Sequence, residues 1–525
     1  MGLTAFELGT FVVYLAVVAL IGFVSGRKGR QSTSDYFLAG RGLPWYVIGF
    51  SLIAASISSE QFIGEVGWGY KYGLAVANWE WLVWPAQGLL LFFFLPVYLR
   101  NKIFTIPEYL TKRFGRVAGT VFSCVCIIQY LVVNLPLVLY SGGFLINRIF
   151  GLDLRLGVWL LVAVAGSYTI FGGLSSAAWV DLFNGGLLVA GGLLVFGLGL
   201  SAVPGGLQTV IGTGPRAHLI LPASHPDLPW TGILAVAVVL SGYYYSTNQY
   251  ITQRCLAGKS QWHGKMGIVL AAALALPLGL GVTWPGMIAR ALDPGLAHPD
   301  GAYPFLISRV VPAGLRGVIL AVLFGAIIST VDSLVNSTST LLTLDIYKGI
   351  LRKSASERRL VRFAQWTGSL LLVFGALWAP MVGKFGSIFA YAQDSWALML
   401  APVMAAFLLA IFWKRMTAGA ALAALLLALP MLVLVYLRQF YGILSGVNIF
   451  NLSGIVFIAS IVLIGMISLF TQPPALENIR PMLWRRGLIV LPEAETKNGY
   501  PWWKRVSFWF GVVAAVFIII YIVLW

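Results

Sequence analysis

Long apolar runs alternate with short polar stretches along all 525 residues of the chain. Most of the runs approach or exceed the ~20 residues that an α-helix needs to cross a bilayer. Their continuity favours helices over the ~10-residue alternating strands of a membrane barrel. We therefore predict an all-α membrane protein with about 14 transmembrane helices, numbered here as spans 1 to 14, at residues 4–25, 44–68, 75–99, 116–147, 156–174, 178–203, 229–252, 264–290, 308–346, 360–380, 385–413, 417–437, 452–471 and 506–524.

Span 2 carries an unusual cluster of polar residues at membrane depth. The stretch 50–64 contains four serines followed by Glu60 and Gln61, and Gly64 closes it. Polar side chains within a bilayer usually face the protein interior or a water-filled cavity. Small polar residues and glycine also allow a helix to break and expose backbone carbonyls. We therefore predict that span 2 is interrupted and forms half of an ion and solute site.

Span 7 contains a second stretch of this kind, at residues 241–254. Two interrupted helices in corresponding halves of a chain are a sequence signature of a transporter's central site. Because spans 2 and 7 are five apart and cross in opposite directions, each is expected to open one inverted repeat. We predict one transporter domain over 1–525, with repeats at 44–203 and 229–413, a first extra helix and cytoplasmic loop at 1–43, and three extra helices at 414–525.

Span 9 is rich in hydroxyl groups between residues 325 and 347. Serine and threonine oxygens, together with freed carbonyls, suit a small hard cation such as Na⁺. The same residues also serve in membrane helices as small packing residues that bond their own i−4 carbonyl. For any single hydroxyl, both interpretations stay open.

The composition places the function in the membrane. The chain is 59% hydrophobic and only 10% charged, against about 25% charged in soluble domains. Its net charge of +17 does not indicate nucleic-acid binding, because most Lys and Arg residues fall in alternate loops. By the positive-inside rule those loops, in which we count Arg254, are cytoplasmic, and both termini lie outside the cell membrane. The basic loops are expected to contact anionic lipid heads.

Few acidic residues lie at membrane depth. To be stable there, each must bind a cation or a polar solute, pair with a basic residue, or lie at the membrane interface. Glu65 is expected at the external mouth of span 2, and Glu60 has no assigned role. Asp332 lies one helical turn beyond Ser329, where it either tunes an ion site or pairs with a base elsewhere. The set consists of Glu60, Glu65, Glu80, Asp181, Asp332 and Asp394.

Five motifs between about residues 30 and 415 resemble those of the sodium/solute symporter family, in particular its sodium/galactose and sodium/glucose branch. The resemblance implies a leucine-transporter-type fold with 5+5 inverted repeats, Na⁺ as the coupling ion and alternating access. It implies a transporter, not an enzyme or a sensor. The motifs are AASISSEQFIG (54–64), WEW (79–81), GGLSSAAWVD (172–181), TNQYITQR (247–254) and LVNSTSTLLTLDIYK (334–348).

The same resemblance implies the site residues. It places Na⁺ on the carbonyls of Ala54, Ile57 and Ala326 and on the hydroxyls of Ser329 and Thr330. It places Asp181 on the path by which Na⁺ leaves, near the cytoplasm. The solute is expected to contact Ser56, Gln61, Glu80, Asn248, Tyr250 and Gln393.

Two positions depart from the galactose pattern. Ser56 replaces an asparagine, and Ala275 replaces a lysine. A carboxylate, amides and aromatic faces suit a neutral polyhydroxyl ligand, so the solute is expected to be a small neutral sugar or polyol. The loss of the lysine argues against galactose, but it does not favour an anionic solute. Na⁺ symport of a non-sugar solute, and proton coupling through Asp332 or Asp181, remain the alternatives. A monomer is expected to suffice for transport.

Overall fold

A computed structural model describes residues 4–27, 32–384, 388–496 and 500–525. In these residues the chain is helical, with one isolated backbone bridge between Leu43 and Gly258. The α-helices are Ala5–Gly26, Thr33–Leu38, Trp45–Ser56, Val66–Tyr72, Asn78–Trp81, Trp84–Leu89, Leu95–Arg100, Ile106–Phe114, Arg116–Ile128, Leu135–Phe150, Leu154–Ala202, Gly206–Ile211, Trp230–Ala235, Gly242–Ser246, Gln249–Leu256, Gln261–Leu292, Ala302–Val310, Arg316–Leu341, Glu357–Val382, Ile388–Phe412, Ala418–Tyr441, Ile449–Phe470, Leu476–Ile479, Glu493–Thr496 and Val506–Val523.

Wider π-helical turns interrupt several of the long helices. Such turns are rare and often lie at functional sites, because they rotate the side chains that follow out of the regular helical register. Five occur in the described residues, at Gln61–Glu65, Leu90–Phe94, Gln129–Asn134, Val236–Ser241 and Leu342–Leu351. Short 3₁₀ turns lie at Ala39–Arg41, Gly73–Ala77, Pro215–Ala217, Pro299–Gly301, Arg480–Met482, Arg486–Leu488 and Trp502–Lys504.

The described residues contain 11 helices that are long and apolar enough to cross a membrane. The centre of the bundle is the hydroxyl-rich span 9, whose most apolar 18-residue stretch is 94% buried. The same measure is 17% for Ala5–Gly26 and 22% for Val506–Val523. Exposed apolar side chains on these outer helices suit contact with lipid. The helix with the most polar residues is thus the one shielded from lipid on all sides.

Span 2 is broken, as its sequence predicts. The helix Trp45–Ser56 ends at Ile57, which has extended backbone angles (φ −106°, ψ 124°). The Ser58 N–H, which in a continuous helix would bond the Ala54 carbonyl, instead donates to Gln61 Oε1 at 2.8 Å. Gln61 Nε2 donates back to the Ser56 carbonyl at 3.2 Å. One side chain therefore satisfies both edges of the break and leaves the Ala54 carbonyl without its usual helical donor.

Span 7 is broken in the same way. Its first part ends at Ser246, and Asn248 adopts an extended conformation (φ −72°, ψ 127°). Asn248 Oδ1 accepts a hydrogen bond from the Tyr250 N–H at 3.2 Å and so caps the second part. Asparagine is among the best residues for this task.

Gly173 divides the 49-residue helix Leu154–Ala202 between predicted spans 5 and 6. Its φ of +60° is in the region that favours glycine, and a Cβ there would lie 2.4 Å from the Tyr36 carbonyl oxygen. Gly172 beside it approaches Gly26 of the first helix, where a Cβ on Gly26 would lie 2.7 Å from Gly172 Cα. The Gly-Gly pair of the 172–181 motif thus provides a sharp turn and a close helix crossing.

Candidate functional site

A cavity lies against the two helix breaks, between predicted spans 2, 3, 4, 7 and 11. Its volume is about 80 Å³, well below the ~300–1,000 Å³ of pockets for drug-sized ligands. Polar groups and aromatic faces make up most of its wall, which suits a small polar molecule with one flat side. The lining consists of Ser56, Glu60, Gln61, Trp79, Glu80, Val83, Gln129, Val236, Leu240, Ser241, Tyr244, Tyr245, Gln393, Trp396 and Leu400.

Four of the six predicted solute residues line this cavity: Ser56, Gln61, Glu80 and Gln393. Ser56 Oγ donates to the Ile53 carbonyl at 3.0 Å, within its own helix. Gln393 is buried, and its Oε1 has no hydrogen-bond partner. The sequence motifs of distant spans therefore meet at one place.

Asn248 and Tyr250, the other two, lie behind the wall and not in it. Asn248 Oδ1 accepts from the Tyr130 hydroxyl at 2.6 Å. The Tyr250 ring packs edge-on against Tyr130 and Tyr244, with centroid separations of 5.4 and 5.7 Å. Because Tyr244 lines the cavity, in this conformation Asn248 and Tyr250 support the aromatic wall and do not form its surface.

Asn78 holds the short helix that carries Trp79 and Glu80 in place. Its Nδ2 donates to the carbonyls of Ala75 and Leu219, each at 2.7 Å. Its Oδ1 accepts from the Tyr521 hydroxyl at 2.5 Å. The last helix of the chain therefore contributes directly to the support of a solute-facing segment, a role that its uniformly apolar sequence does not indicate.

Several lining residues were not assigned to the site from the sequence. The sequence shows the Tyr-Tyr-Tyr run at 243–245 and the Trp residues at 79 and 81, but it does not indicate which of these rings face the cavity. Tyr243 donates to Gln129 Oε1 at 2.8 Å, whereas Tyr244 and Tyr245 face the cavity. Gln129 was detectable as an isolated amide in an apolar run. The unassigned lining residues with polar or aromatic side chains are Glu60, Trp79, Gln129, Ser241, Tyr244, Tyr245 and Trp396.

Three of the predicted cation ligands, Ile57, Ala326 and Thr330, meet at the break in span 2. Thr330 Oγ1 lies 3.4 Å from the Ile57 carbonyl oxygen and 3.1 Å from that of Ala326. All five predicted ligand residues, Ala54, Ile57, Ala326, Ser329 and Thr330, are buried. Unwound carbonyls and hydroxyls are oxygen donors of the kind that coordinates Na⁺ in transporters with broken helices. The residues present therefore fit a Na⁺ site.

Asp181 and Arg254 form a buried ion pair next to this cluster. Arg254 Nη2 lies 2.9 Å from Asp181 Oδ2, and the side chains are 1% and 0% exposed. The Ser51 hydroxyl donates to the same carboxylate at 2.5 Å, and the Ser329 hydroxyl donates to its other oxygen. Arg254 also donates to Ser333 Oγ and to the Tyr250 carbonyl. Asp181 thus contacts a predicted Na⁺ ligand, Ser329.

Two sequence-based placements are wrong. Arg254 was counted in a cytoplasmic loop, but it is buried because Asp181 compensates its charge. Glu65 was expected at the external mouth, but it is fully buried, and Thr283 Oγ1 donates to its Oε1 at 2.8 Å. Asp332 is also fully buried and accepts from the Thr169 hydroxyl. Charge counting along a chain does not detect a partner that lies more than seventy residues away.

Comparison with known proteins agrees with this geometry. The model of the sodium:solute symporter family matches residues 36–428. A sodium/glucose cotransporter of Vibrio parahaemolyticus is 36% identical over 462 residues, 82% of this chain and 84% of the relative. The human sodium/myo-inositol cotransporter is 31% identical over 551 residues, 93% of this chain and 76% of the relative. The chain belongs to the sodium:solute symporter family.

The fold has a counterpart among solved structures. A Na⁺-coupled sialic acid symporter in a substrate-bound, outward-open state superposes with a TM-score of 0.79. The alignment covers 90% of this chain and 99% of that chain, at 22% sequence identity. This likeness supports the leucine-transporter-type fold. The family and its relatives define a multi-pass, sodium-coupled solute transporter and not an enzyme.

Proposed function

We propose that the chain takes up a sugar or polyol together with Na⁺ by alternating access. The observation that carries this proposal is the convergence of Glu80, Gln61 and Gln393 on one small cavity with aromatic walls. Carboxylate and amide groups hydrogen-bond hydroxyls, and a ring face covers the apolar side of a sugar. Relatives named for glucose and myo-inositol support the same class.

The broken span 2 couples the ion to the solute. Na⁺ binds to the carbonyls of Ala54 and Ile57 on one side, and to Ala326, Ser329 and Thr330 of span 9 on the other. Ser56 and Gln61, which line the solute cavity, lie within the same break. Na⁺ binding therefore fixes the backbone that presents these two side chains, so that either ligand stabilises the conformation that the other requires.

Asp181 lies on the path of the departing ion. It contacts the Ser329 hydroxyl directly, so a cation that leaves Ser329 meets this carboxylate next. Arg254, at 2.9 Å, already neutralises Asp181. The departing Na⁺ therefore stays at Asp181 only briefly. The gradient supplies the energy, about 2.3 kcal/mol per charge for each 100 mV.

We propose for the whole chain the repeat scheme predicted from the sequence. Fourteen spans form 5+5 inverted repeats, in which the breaks at Ile57 and at Thr247–Asn248 occupy corresponding positions. Both termini lie outside the cell membrane, and one monomer completes the pathway.

Reconstitution in proteoliposomes tests the proposal. Sugars, polyols, amino acids and monocarboxylates are offered with an inward Na⁺ gradient, and then with choline in place of Na⁺ at fixed pH. Accumulation of a sugar or polyol that depends on Na⁺ is expected. Uptake restricted to amino acids or monocarboxylates would reject the solute class, and sugar uptake that persists in choline would reject Na⁺ as the coupling ion.

A further inference from the structure

Two carboxylates in the wall of the solute cavity form no ion pair. Glu60 and Glu80 both line the cavity and are 6% and 7% exposed. Among the described residues, the ion pairs within 4.0 Å involve neither of them. Glu60 Oε2 is buried and has no hydrogen-bond partner. The Glu60 side chain thus reaches the cavity with an unused acceptor.

The described cavity lining also provides no positive charge. It contains two Glu residues but no Lys, Arg or His. Arg254 is the buried cation that follows the lining residue Tyr245 most closely in the sequence. It is already bonded to Asp181, Ser51 and Ser333. Buried carboxylates are costly unless a cation or several donors compensate them. Because no described lining residue compensates Glu60 and Glu80, a positively charged molecule that enters the cavity would be attracted by both.

The remaining lining groups select the kind of molecule. Gln393 Oε1 adds a third acceptor, since it is buried and unbonded. Trp79, Tyr244, Tyr245 and Trp396 line the same space, and faces of such rings attract ammonium groups. Carboxylates, a free amide oxygen and aromatic rings together match a donor-rich cation.

We propose that Glu60 and Glu80 select, within the sugar and polyol class, solutes that carry a protonated amine. This inference rests on the proposed function and narrows its solute to amino sugars and amino polyols. The ammonium group lies between the two carboxylates, and the hydroxyls bond Gln61 and Gln393. Acidic sugars are rejected because they would add a third negative charge to the cavity.

A matched set of three solutes tests the proposal on the full-length chain in proteoliposomes. Glucose, glucosamine and glucuronate are compared under an inward Na⁺ gradient, below neutral pH, so that the amine is protonated; the galactose series is run in parallel. Glucosamine is expected to half-saturate uptake at a concentration at least about tenfold lower than glucose, since hydrogen bonds to charged groups contribute roughly that factor or more. Glucuronate is expected not to compete.

Glu60→Gln tests the contribution of the Glu60 carboxylate separately from that of Glu80. It is expected to reduce the preference for the amine, measured as the ratio of the half-saturating concentrations of glucose and glucosamine, about tenfold. Glu65→Gln is the matched control, since Glu65 is also buried with an unbonded Oε2 but does not line the cavity, and its Oε1 accepts from Thr283. It is expected to keep the preference. If Glu60→Gln does not fold, the test rests on the wild-type chain, through the ratio of its half-saturating concentrations for glucose and glucosamine. This preference must fall when the pH is raised until the amine is neutral.

The outcomes separate this inference from the proposed function. Na⁺-driven uptake of glucose or galactose without preference for the amine overturns the inference and leaves the proposed function intact. A changed Na⁺ requirement in Glu60→Gln, without an amine preference in the wild type, assigns the carboxylates to the coupling ion and also overturns the inference. Absence of Na⁺-driven uptake for every member of both series rejects the sugar assignment itself.

Discussion

The guanidinium of Arg254 lies 2.9 Å from the carboxylate of Asp181, and both side chains are almost completely buried. This pair joins the second half of span 7 to span 6, and the hydroxyls of Ser51 and Ser329 extend it to spans 2 and 9. Four helices therefore share one network of charged hydrogen bonds.

Loss of one partner of this pair is expected to be more harmful than loss of both. Arg254→Gln or Asp181→Asn leaves a buried charge without compensation, at a cost of about 3–5 kcal/mol. The double variant removes both charges and is expected to recover part of that loss. Thermal unfolding in detergent is measured for the wild type, the two single variants and the double variant. Arg358→Gln, at an exposed position, is the control. Additive effects of the two single changes would contradict a direct pairing.

Thr330→Ala is expected to weaken Na⁺ binding. The hydroxyl of Thr330 contacts the Ile57 carbonyl across the break and is one of few oxygens there. Removal of one ligand of this kind costs about 1 kcal/mol and raises the half-saturating Na⁺ concentration by roughly fivefold. Thr330→Ser keeps the oxygen and should behave as wild type. Thr338→Ala is the control, since its hydroxyl bonds Leu334 within the same helix; an equal effect there would remove the basis for the assignment.

Glu80→Gln is expected to abolish or strongly reduce sugar uptake while Na⁺ still binds. The change keeps shape and removes a charged acceptor from the cavity wall, at a cost of about 1.5–3 kcal/mol. Solute uptake and Na⁺-dependent thermal stabilisation report the two properties separately. Sugar uptake that is unchanged in this variant would show that the solute binds elsewhere.

Tyr521→Phe tests the support given by the last helix. It removes the hydroxyl that donates to Asn78 Oδ1 at 2.5 Å and loosens the segment that carries Trp79 and Glu80. The lost hydrogen bond is worth about 0.5–1.5 kcal/mol. We therefore expect a several-fold rise in the solute KM, with little change in Na⁺ affinity. Tyr441→Phe, at an exposed tyrosine, is the matched control. A lower maximal rate with unchanged KM would indicate that the contact serves folding or transport rate, not the solute site.

Gly173→Ala is expected to destabilise the protein by more than 1 kcal/mol. The residue has a φ of +60°, and a Cβ would lie 2.4 Å from the Tyr36 carbonyl oxygen. Gly186→Ala lies in the same helix with no atom within 4 Å of its Cβ position, and there alanine should be neutral or stabilising. Unfolding temperature of the two variants provides the comparison. Equal stability would mean that the turn at Gly173 accepts a side chain.

The sequence by itself determined that the chain is a bundle of membrane helices and that spans 2 and 7 are broken. These features are local, since an apolar run of sufficient length must span, and a serine- and glycine-rich segment within it is free to unwind. The family followed from motifs that are continuous in the chain, and sodium coupling followed from the family.

Tertiary structure decided which of the polar residues meet. Glu60 and Tyr244 face the cavity while Asn248 lies behind it, because π-helical turns and the breaks change the register of the side chains. Arg254 is buried because Asp181, 73 residues away, compensates it. Tyr521 supports Asn78 across 443 residues. Such pairings depend on how the helices pack, and no local pattern in the chain encodes them.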